Sequence, residues 1–216
     1  MTLKSIKHNP FKIVQMFEEE VAEYTGAPYA VAVDSCTNAL FLCCKYVEVK
    51  YSDIIIPSKT YLSVPQSIIH AGGSVVFDRS FEANNWLSKG FYRINPTNIY
   101  DSAKLLTSDM YLPNSLMCLS FHIKKNIPMG KGGMILTDNI AAVDWFKKAR
   151  YEGRSEKLYH LDDINSLGWN MYMNPVEAAY GLWYMQNYPA HNPPVGEQNG
   201  YKDLTEFPLF KNCKVV

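Results

Sequence analysis

Apolar residues recur at helical spacing over residues 11–25, where Ile13, Val14, Phe17 and Val21 share one stripe and Glu18, Glu19, Glu20 and Glu23 lie off it. Gly26 follows, at the position where a helix ends on a left-handed residue. The pattern then changes. Tyr29-Ala-Val-Ala-Val33 is an apolar run of strand length bounded by Pro28 and Asp34, and residues 37–47, rich in Ala, Leu and Phe, return to helical length. The alternation repeats with Ile54-Ile-Ile56, a helix over residues 61–71, and Ser74-Val-Val-Phe-Asp78 after the pair Gly72-Gly73. Pro65 falls within a turn or so of that helix's start, where a missing N–H is tolerated.

Residues 79–97 carry Asn84-Asn85, Gly90 and Asn95-Pro96 and read mostly as loop, with only residues 90–94 hinting at a strand. Residues 98–102, 117–121 and 133–137 predict three further strands, followed by a helix over residues 140–151. Asn174 and Pro175 suit the N-cap and first position of a last helix running through Met185. Strands alternating with helices imply an α/β fold around a mostly parallel sheet of six or seven strands. Beyond Tyr188 the chain holds Pro189, Pro193, Pro194 and Pro208 and is expected to lie along a surface or to be mobile.

A length of 216 residues makes a single core the default. Lys plus Arg and Asp plus Glu are 21 each, so the charge balances and no basic field exists to hold nucleic acid or an anionic membrane surface. With 47% apolar and 19% charged residues the chain has the composition of a folded domain. No apolar run approaches the roughly 18–20 residues of a membrane helix, and the opening MTLKSIKHNPFKIVQ lacks the hydrophobic region of a leader, so the expected location is cytoplasmic. The five cysteines, Cys36, Cys43, Cys44, Cys118 and Cys213, form no C-x-x-C pair, which suits reduced core thiols and indicates neither zinc nor disulfides.

Ligands of doubly wound sheets collect at the carboxyl ends of strands, so the polar residues just after each strand are the candidates for chemistry. Asp34-Ser-Cys-Thr-Asn-Ala39 leads directly into a helix whose first amides favour an anion such as phosphate, although the same residues suit an ordinary cap. Pro57-Ser-Lys-Thr-Tyr61 puts an aromatic ring at a strand-to-helix junction, where it either covers a flat ligand or packs in the core. Tyr100-Asp-Ser-Ala103 ends an apolar strand on a carboxylate that needs a partner if buried; a helix N-cap is the simpler alternative. Ser120-Phe-His-Ile-Lys-Lys125, followed by Gly130-Lys-Gly-Gly133, sets lysines between an apolar strand and tight glycines. Lysines usually mark solvated surface, but one so placed is a candidate amine for bonding to a carbonyl. Gly168-Trp-Asn-Met-Tyr-Met173 places Asn170 among large apolar residues, with core packing as the alternative.

In order, these segments resemble the DegT/DnrJ/EryC1/StrS family of pyridoxal-phosphate-dependent sugar aminotransferases. The resemblance runs over roughly residues 11–187 and begins with Phe17-Glu-Glu-Glu-Val-Ala-Glu-Tyr-Thr-Gly26. It implies the large domain of the type I, aspartate aminotransferase-like fold, with a mostly parallel central sheet and helices on both faces. Ser35, Thr37 and Asn38 would then cradle the cofactor phosphate, with Cys36 standing where the family usually has Gly. Tyr61 would stack on the pyridine ring, Ala103 would adjoin it, and Asp101 would pair with the ring nitrogen. Lys104 occupies the place of the family's Gln or His. Ser120 would bind the phosphate, and Lys125, rather than Lys124, would be the lysine joined to the cofactor aldehyde. Asn170 would cross a homodimer interface to the neighbouring phosphate, while Tyr172 replaces a frequent Arg.

Between Asp78 and Asp101 the chain is shorter than such relatives, which carry a further strand and helix there. Residues 1–188 would form the cofactor-binding large domain, and residues 189–216 a Pro-rich tail in place of most of the smaller domain. The implied activity is transfer of an amino group from an amino acid, glutamate being the expected donor, to the keto group of a nucleotide-linked sugar. Lys125 and Asp101 would be catalytic, His122 and Lys104 could touch substrate, and no metal is implied. Two alternatives are a pyridoxal-phosphate-dependent sugar dehydratase or lyase, against which Lys125 in place of His argues, and a shortened homologue that binds cofactor or a partner subunit without turnover.

Overall fold

The computed structural model describes residue 9, residues 11–196 and residues 200–216. Residues 1–8 and 10, part of the segment on which the expectation of no leader rests, and residues 197–199 of the proline-rich segment lie outside the described residues. The chain runs α1 (Lys12–Thr25), β1 (Tyr29–Val33), α2 (Cys36–Tyr46), β2 (Asp53–Pro57), α3 (Ser63–His70) and β3 (Ser74–Asp78). Two one-turn helices, α4 (Phe81–Asn84) and α5 (Trp86–Lys89), precede β4 (Tyr92–Ile94) and β5 (Ile99–Asp101). Next come β6 (Leu116–Ser120), β7 (Gly133–Thr137), α6 (Ile140–Ala149) and α7 (Pro175–Met185), and finally β8 (Lys214–Val215).

The helix ends follow local chemistry. Gly26, at φ 73°, closes α1, with its N–H returning to the last turn. Ser35 in extended conformation caps α2, its Oγ accepting from the Asn38 N–H, and Asn174 with Pro175 opens α7.

Two sheets share the work of one. A five-stranded sheet has the order β1-β7-β6-β5-β4, and a three-stranded sheet has the order β2-β3-β8. The smaller sheet is parallel throughout, whereas the larger contains only one parallel pair, β5 with β6. The pairing is thus mixed rather than mostly parallel. β7 follows β6 through a short glycine-rich connection and runs back along both β1 and β6. β4 and β5 form a hairpin around Asn95-Pro96, because the connection is too short for a crossover helix. Residues 79–97 therefore contain two short helices and a strand where mostly loop was expected.

Apolar residues cover both faces of the larger sheet. Val31 and Val33 of β1 face a core shared with α2, α3 and α6, while Ala30 and Ala32 face a second core shared with α1 and α7. The first core continues into the smaller sheet through Ile54, Ile56 and Phe77, so both sheets rest on one apolar floor. Hydrogen bonding between the sheets is sparse: Ile55 and Asn95 exchange backbone bonds of 2.8 and 3.1 Å. A cavity of about 300 Å³ opens along that seam, lined in part by Ile55, Trp86, Tyr92 and Tyr100.

Residues 200–216 lie largely along the surface, one of the two alternatives expected of the tail, and are anchored there by two buried side chains. Leu204 and Phe210 are buried in the first core, the Leu204 N–H donates to the Ser58 carbonyl at 2.9 Å, and β8 extends the smaller sheet beside β3. Among the described residues no helix is long and apolar enough to cross a membrane, no group of side chains could hold a metal ion, and all five cysteines are free.

Candidate active site

Sheet register brings the polar junctions to one edge. Val33 and Ser120 both align with Gly133, and Asp101 aligns with Cys118, two residues before Ser120. The carboxyl ends of β1, β5 and β6 thus open on the same side, where β7 begins. Gly133 is required there: a Cβ would lie 2.4 Å from the Ser35 carbonyl carbon and 2.5 Å from the Cys36 nitrogen. Gly132, at φ 141°, bridges to Ser35 and completes this close passage of two backbones.

The loop before α2 is cross-linked by side chains. Asn38 donates to Asp34 Oδ1 at 2.6 Å, Thr37 Oγ1 donates to Ser63 Oγ at 3.0 Å, and Lys131 Nζ reaches Asp34 Oδ2 at 3.1 Å. Cys36 is the first residue of α2 and is not among the residues with positive φ, so its place does not demand a glycine. Its thiol is buried and donates towards the Cys118 carbonyl at 3.7 Å. Burial pushes its pKa well up, Asp101 and Cys118 add to the rise, and Lys125 opposes it. The thiol therefore stays neutral and adds no negative charge beside the helix N-terminus.

Asp101 is only 3% exposed. One carboxylate oxygen accepts from the Ala103 N–H at 3.0 Å and the other from the Tyr92 hydroxyl at 3.1 Å. Burial raises its pKa, against which the Ala103 amide, the Lys125 charge and the Tyr92 hydroxyl all act. Lys125 is half-buried, whereas Lys124 is exposed, and only Lys125 enters the field of Asp101 and Cys36. Lys104 is buried, its Nζ lying 5.8 Å from the Trp86 ring and 5.9 Å from the Tyr201 ring. Burial, and then the Lys125 charge, lower its pKa.

Ser120 is half-buried and accepts from the His122 N–H at 3.4 Å. His122 is exposed, bonding through Nδ1 to the Lys124 N–H at 3.3 Å. Tyr61 is 54% exposed and meets Tyr201 edge-on at 6.4 Å between centroids. Asn170 stands apart: its exposed side chain donates to Glu152 at 2.8 Å, although the adjacent Met171 carbonyl accepts from the Asp34 N–H at 2.8 Å. The expected residues thus divide into a cluster of Cys36, Asp101, Ala103, Lys104 and Lys125, the helix-capping loop with Ser35, Thr37 and Asn38, half-buried Ser120, and exposed Tyr61, His122 and Asn170.

Four residues of this region had not been singled out. Tyr92 and Thr60 share a hydrogen bond of 2.6 Å, and Trp86 stacks on Tyr201 at 5.8 Å with planes 27° apart. The alternation of buried Tyr92 and Ile94 around exposed Arg93 is the one local signal that could have pointed to Tyr92. Tyr201 carries no local signal.

Solved structures share this architecture. Helicobacter pylori PseC, an aminotransferase of pseudaminic acid biosynthesis, superimposes with a TM-score of 0.67 at 18% identity, over 84% of this chain and 59% of that one. The PLP-form of the sugar aminotransferase Spr1654 from Streptococcus pneumoniae gives 0.63 at 18% identity, over 82% and 60%. The fold is therefore that of the type I aminotransferases, and it is built here around a two-part sheet. The chain belongs to the DegT/DnrJ/EryC1/StrS aminotransferase family, whose sequence profile matches residues 2–82 and 113–192. By sequence it is 25% identical to the spore coat polysaccharide biosynthesis protein SpsC of Bacillus subtilis, over 78% of this chain and 55% of SpsC. It is also 25% identical to a UDP-4-amino-4,6-dideoxy-N-acetyl-beta-L-altrosamine transaminase of Campylobacter jejuni, over 94% of this chain and 65% of that one. The chain thus spans about 55–65% of the length of these curated relatives.

Pyridoxal phosphate is the cofactor of this family. The groups present suit it: a buried carboxylate for a ring nitrogen, a half-buried amine in that carboxylate's field, and a helix N-terminus open to an anion. The profile leaves residues 83–112 and 193–216 unmatched, and these two stretches meet at the site through Trp86, Lys104 and Tyr201.

Proposed function

We propose that this chain binds pyridoxal phosphate at the carboxyl ends of β1, β5 and β6 and transfers an amino group from an amino acid, glutamate being the expected donor, to the keto group of a nucleotide-linked sugar. The observation that carries this reading is the buried Asp101 carboxylate with the Lys125 amine in its field. The names of the Campylobacter and Helicobacter relatives support a sugar as acceptor.

When bound, the cofactor supplies an aldehyde and an electron-withdrawing ring. Ser35, Thr37, Asn38 and Ser120, with the amides opening α2, would hold its phosphate. Asp101 would hold a proton on the ring nitrogen, which is why a carboxylate with a raised pKa must remain charged by its contacts with Ala103, Lys125 and Tyr92. Tyr61 and Ala103 would bound the ring. Lys125 Nζ would hold the cofactor through its aldehyde and would serve as the base that moves a proton at the donor's α-carbon. Lys104 and His122 are proposed to meet substrate. Asn170 is proposed to reach the phosphate of a second copy in a homodimer, residues 1–188 to act as the cofactor-binding domain, and the protein to work in the cytoplasm.

Borohydride reduction of the protein after incubation with pyridoxal phosphate, followed by peptide mass analysis, tests the reading. A phosphopyridoxyl group is expected on Lys125 and not on Lys124, and glutamate should change the absorption spectrum before reduction. Absence of label on Lys125 overturns it. One observation favours a second reading, a cofactor-binding subunit without turnover: the Tyr201 ring stands in the cleft beside Tyr61. A labelled Lys125 whose spectrum ignores every amino donor would establish that reading instead.

A further inference from the structure

The two stretches outside the family profile form a single insert over the strand ends. Trp86, from the short segment between β3 and β4, stacks on Tyr201 and tilts against Tyr92 at 4.7 Å between centroids. Lys104 Nζ lies over both Trp86 and Tyr201, and the Lys104 carbonyl accepts from the Val195 N–H at 2.8 Å.

Residues 203–216 are pinned on the far side. Asp203 accepts from Ser58 Oγ at 3.1 Å and from Arg79 at 3.2 Å, Thr205 bonds back to Asp203, and Phe210 packs edge-on against Phe77 at 5.6 Å. These anchors fix where Tyr201 points. It is half-buried, packs against the core cluster that contains Cys36, and meets Tyr61 edge-on. Trp86, stacked on it, also tilts against Tyr92, the donor to Asp101, and the Tyr201 hydroxyl is pushed up to about 12, first by burial and then by Asp101, Tyr61 and Cys36. They are the groups among which a pyridine ring would lie, and a phenol is a six-membered aromatic of the same width.

We propose that Tyr201 is a built-in competitor for the cofactor ring: residues 200–216 hold its side chain in the cleft formed by Asp101, Tyr61 and Cys36, and pyridoxal phosphate binds only as Tyr201 leaves. The inference rests on the proposed cofactor site. The anchors at Ser58, Arg79 and Phe77 stay in place, so the exchange is local: the Tyr201 ring swings off Trp86 while β8 remains paired. Because a closed form lowers apparent affinity by the fraction of open molecules, cofactor loading would respond to whatever pulls the 200–202 segment outward.

The dissociation constant for pyridoxal phosphate, read by absorbance titration of the full chain and of Tyr201→Ala, tests this. Binding about tenfold tighter in Tyr201→Ala is expected, the size of a closed form outnumbering the open one by roughly ten to one. A second measurement needs no variant: trypsin cleavage after exposed Lys202 in the unmodified protein, followed by mass spectrometry, should accelerate when pyridoxal phosphate is added. Equal or weaker binding by Tyr201→Ala, or cleavage after Lys202 that the cofactor slows or leaves unchanged, overturns the competitor. Failure of both folded proteins to bind pyridoxal phosphate at all overturns the cofactor reading, and the competitor with it; this outcome differs from equal binding by the two.

Discussion

The Tyr92 hydroxyl donates to Asp101 Oδ2 at 3.1 Å while sharing a 2.6 Å hydrogen bond with Thr60 Oγ1. Tyr92 lies on β4, which forms a hairpin with β5, and it holds one oxygen of the carboxylate while the Ala103 amide holds the other. Tyr92 is thus a positioning residue for Asp101. Its hydroxyl helps keep the Asp101 pKa from rising further, so in Tyr92→Phe the carboxyl should take up a proton more readily. Bound pyridoxal phosphate should then lose its ring proton at lower pH than in the unmodified protein. Titration of the cofactor absorbance against pH checks this. An unchanged pH profile would reduce Tyr92 to a packing group.

Asp101 is expected to cost stability at neutral pH. Its folded-state pKa lies above the ordinary value of 3.8, chiefly through burial, so the folded state holds the proton more tightly than the unfolded one. Stability from this group is present below about pH 4 and is lost as pH rises through the folded pKa. Asp101→Asn should therefore melt higher than the parent at pH 7, by roughly 2–4 °C for each kcal/mol relieved, and close to the parent at acid pH. The same variant should bind pyridoxal phosphate more weakly. Calorimetry at two pH values, beside a cofactor titration, separates the two effects.

Gly133→Ala should damage the site through the backbone. The added methyl meets the Ser35 carbonyl carbon and the Cys36 nitrogen, neither of which can rotate away. A loss of about 1–3 kcal/mol in urea unfolding is expected, together with weaker binding of phosphate-bearing ligands. Gly130→Ala is the comparison: no atom lies within 4 Å of its added methyl, so its cost should come from the positive φ of 94° alone.

Glu18 is buried on α1, where it pairs with fully buried Arg150 and accepts from the Ala32 N–H at 2.8 Å. Arg150 also donates to the Ala32 carbonyl, so the pair ties α1 and the end of α6 to β1. Glu18→Ala should cost about 3 kcal/mol, since it leaves the buried Arg150 guanidinium with only Glu156, at 3.3 Å, as a carboxylate partner. Ala32 is the last residue but one of β1, so the pair also braces the strand end on which the cofactor site opens, and affinity for pyridoxal phosphate should fall together with stability. Chemical denaturation with a parallel binding titration checks both halves.

Much of this arrangement was legible along the chain. The change from helical to strand spacing located α1, β1, α2, β2 and β3, and polar residues following apolar strands led to Ser35, Asp101, Ser120 and Lys125. What escaped depends on contacts distant in sequence. Tyr201 reaches Trp86 across more than a hundred residues, and no periodicity encodes that return. The two short helices over residues 81–89 escaped because four-residue helices carry too few positions to display a period. The mixed sheet escaped because the length of a connection, not the pattern of a strand, decides its direction.

The seam between β2 and β4 carries a broader consequence. One pair of backbone bonds joins the two sheets, yet Ile54, Ile56, Val33 and Cys118 rest on the same apolar floor above α2. Cohesion across a seam with few backbone bonds can thus be supplied from beneath. The seam can therefore open a cavity of about 300 Å³ without parting the two sheets.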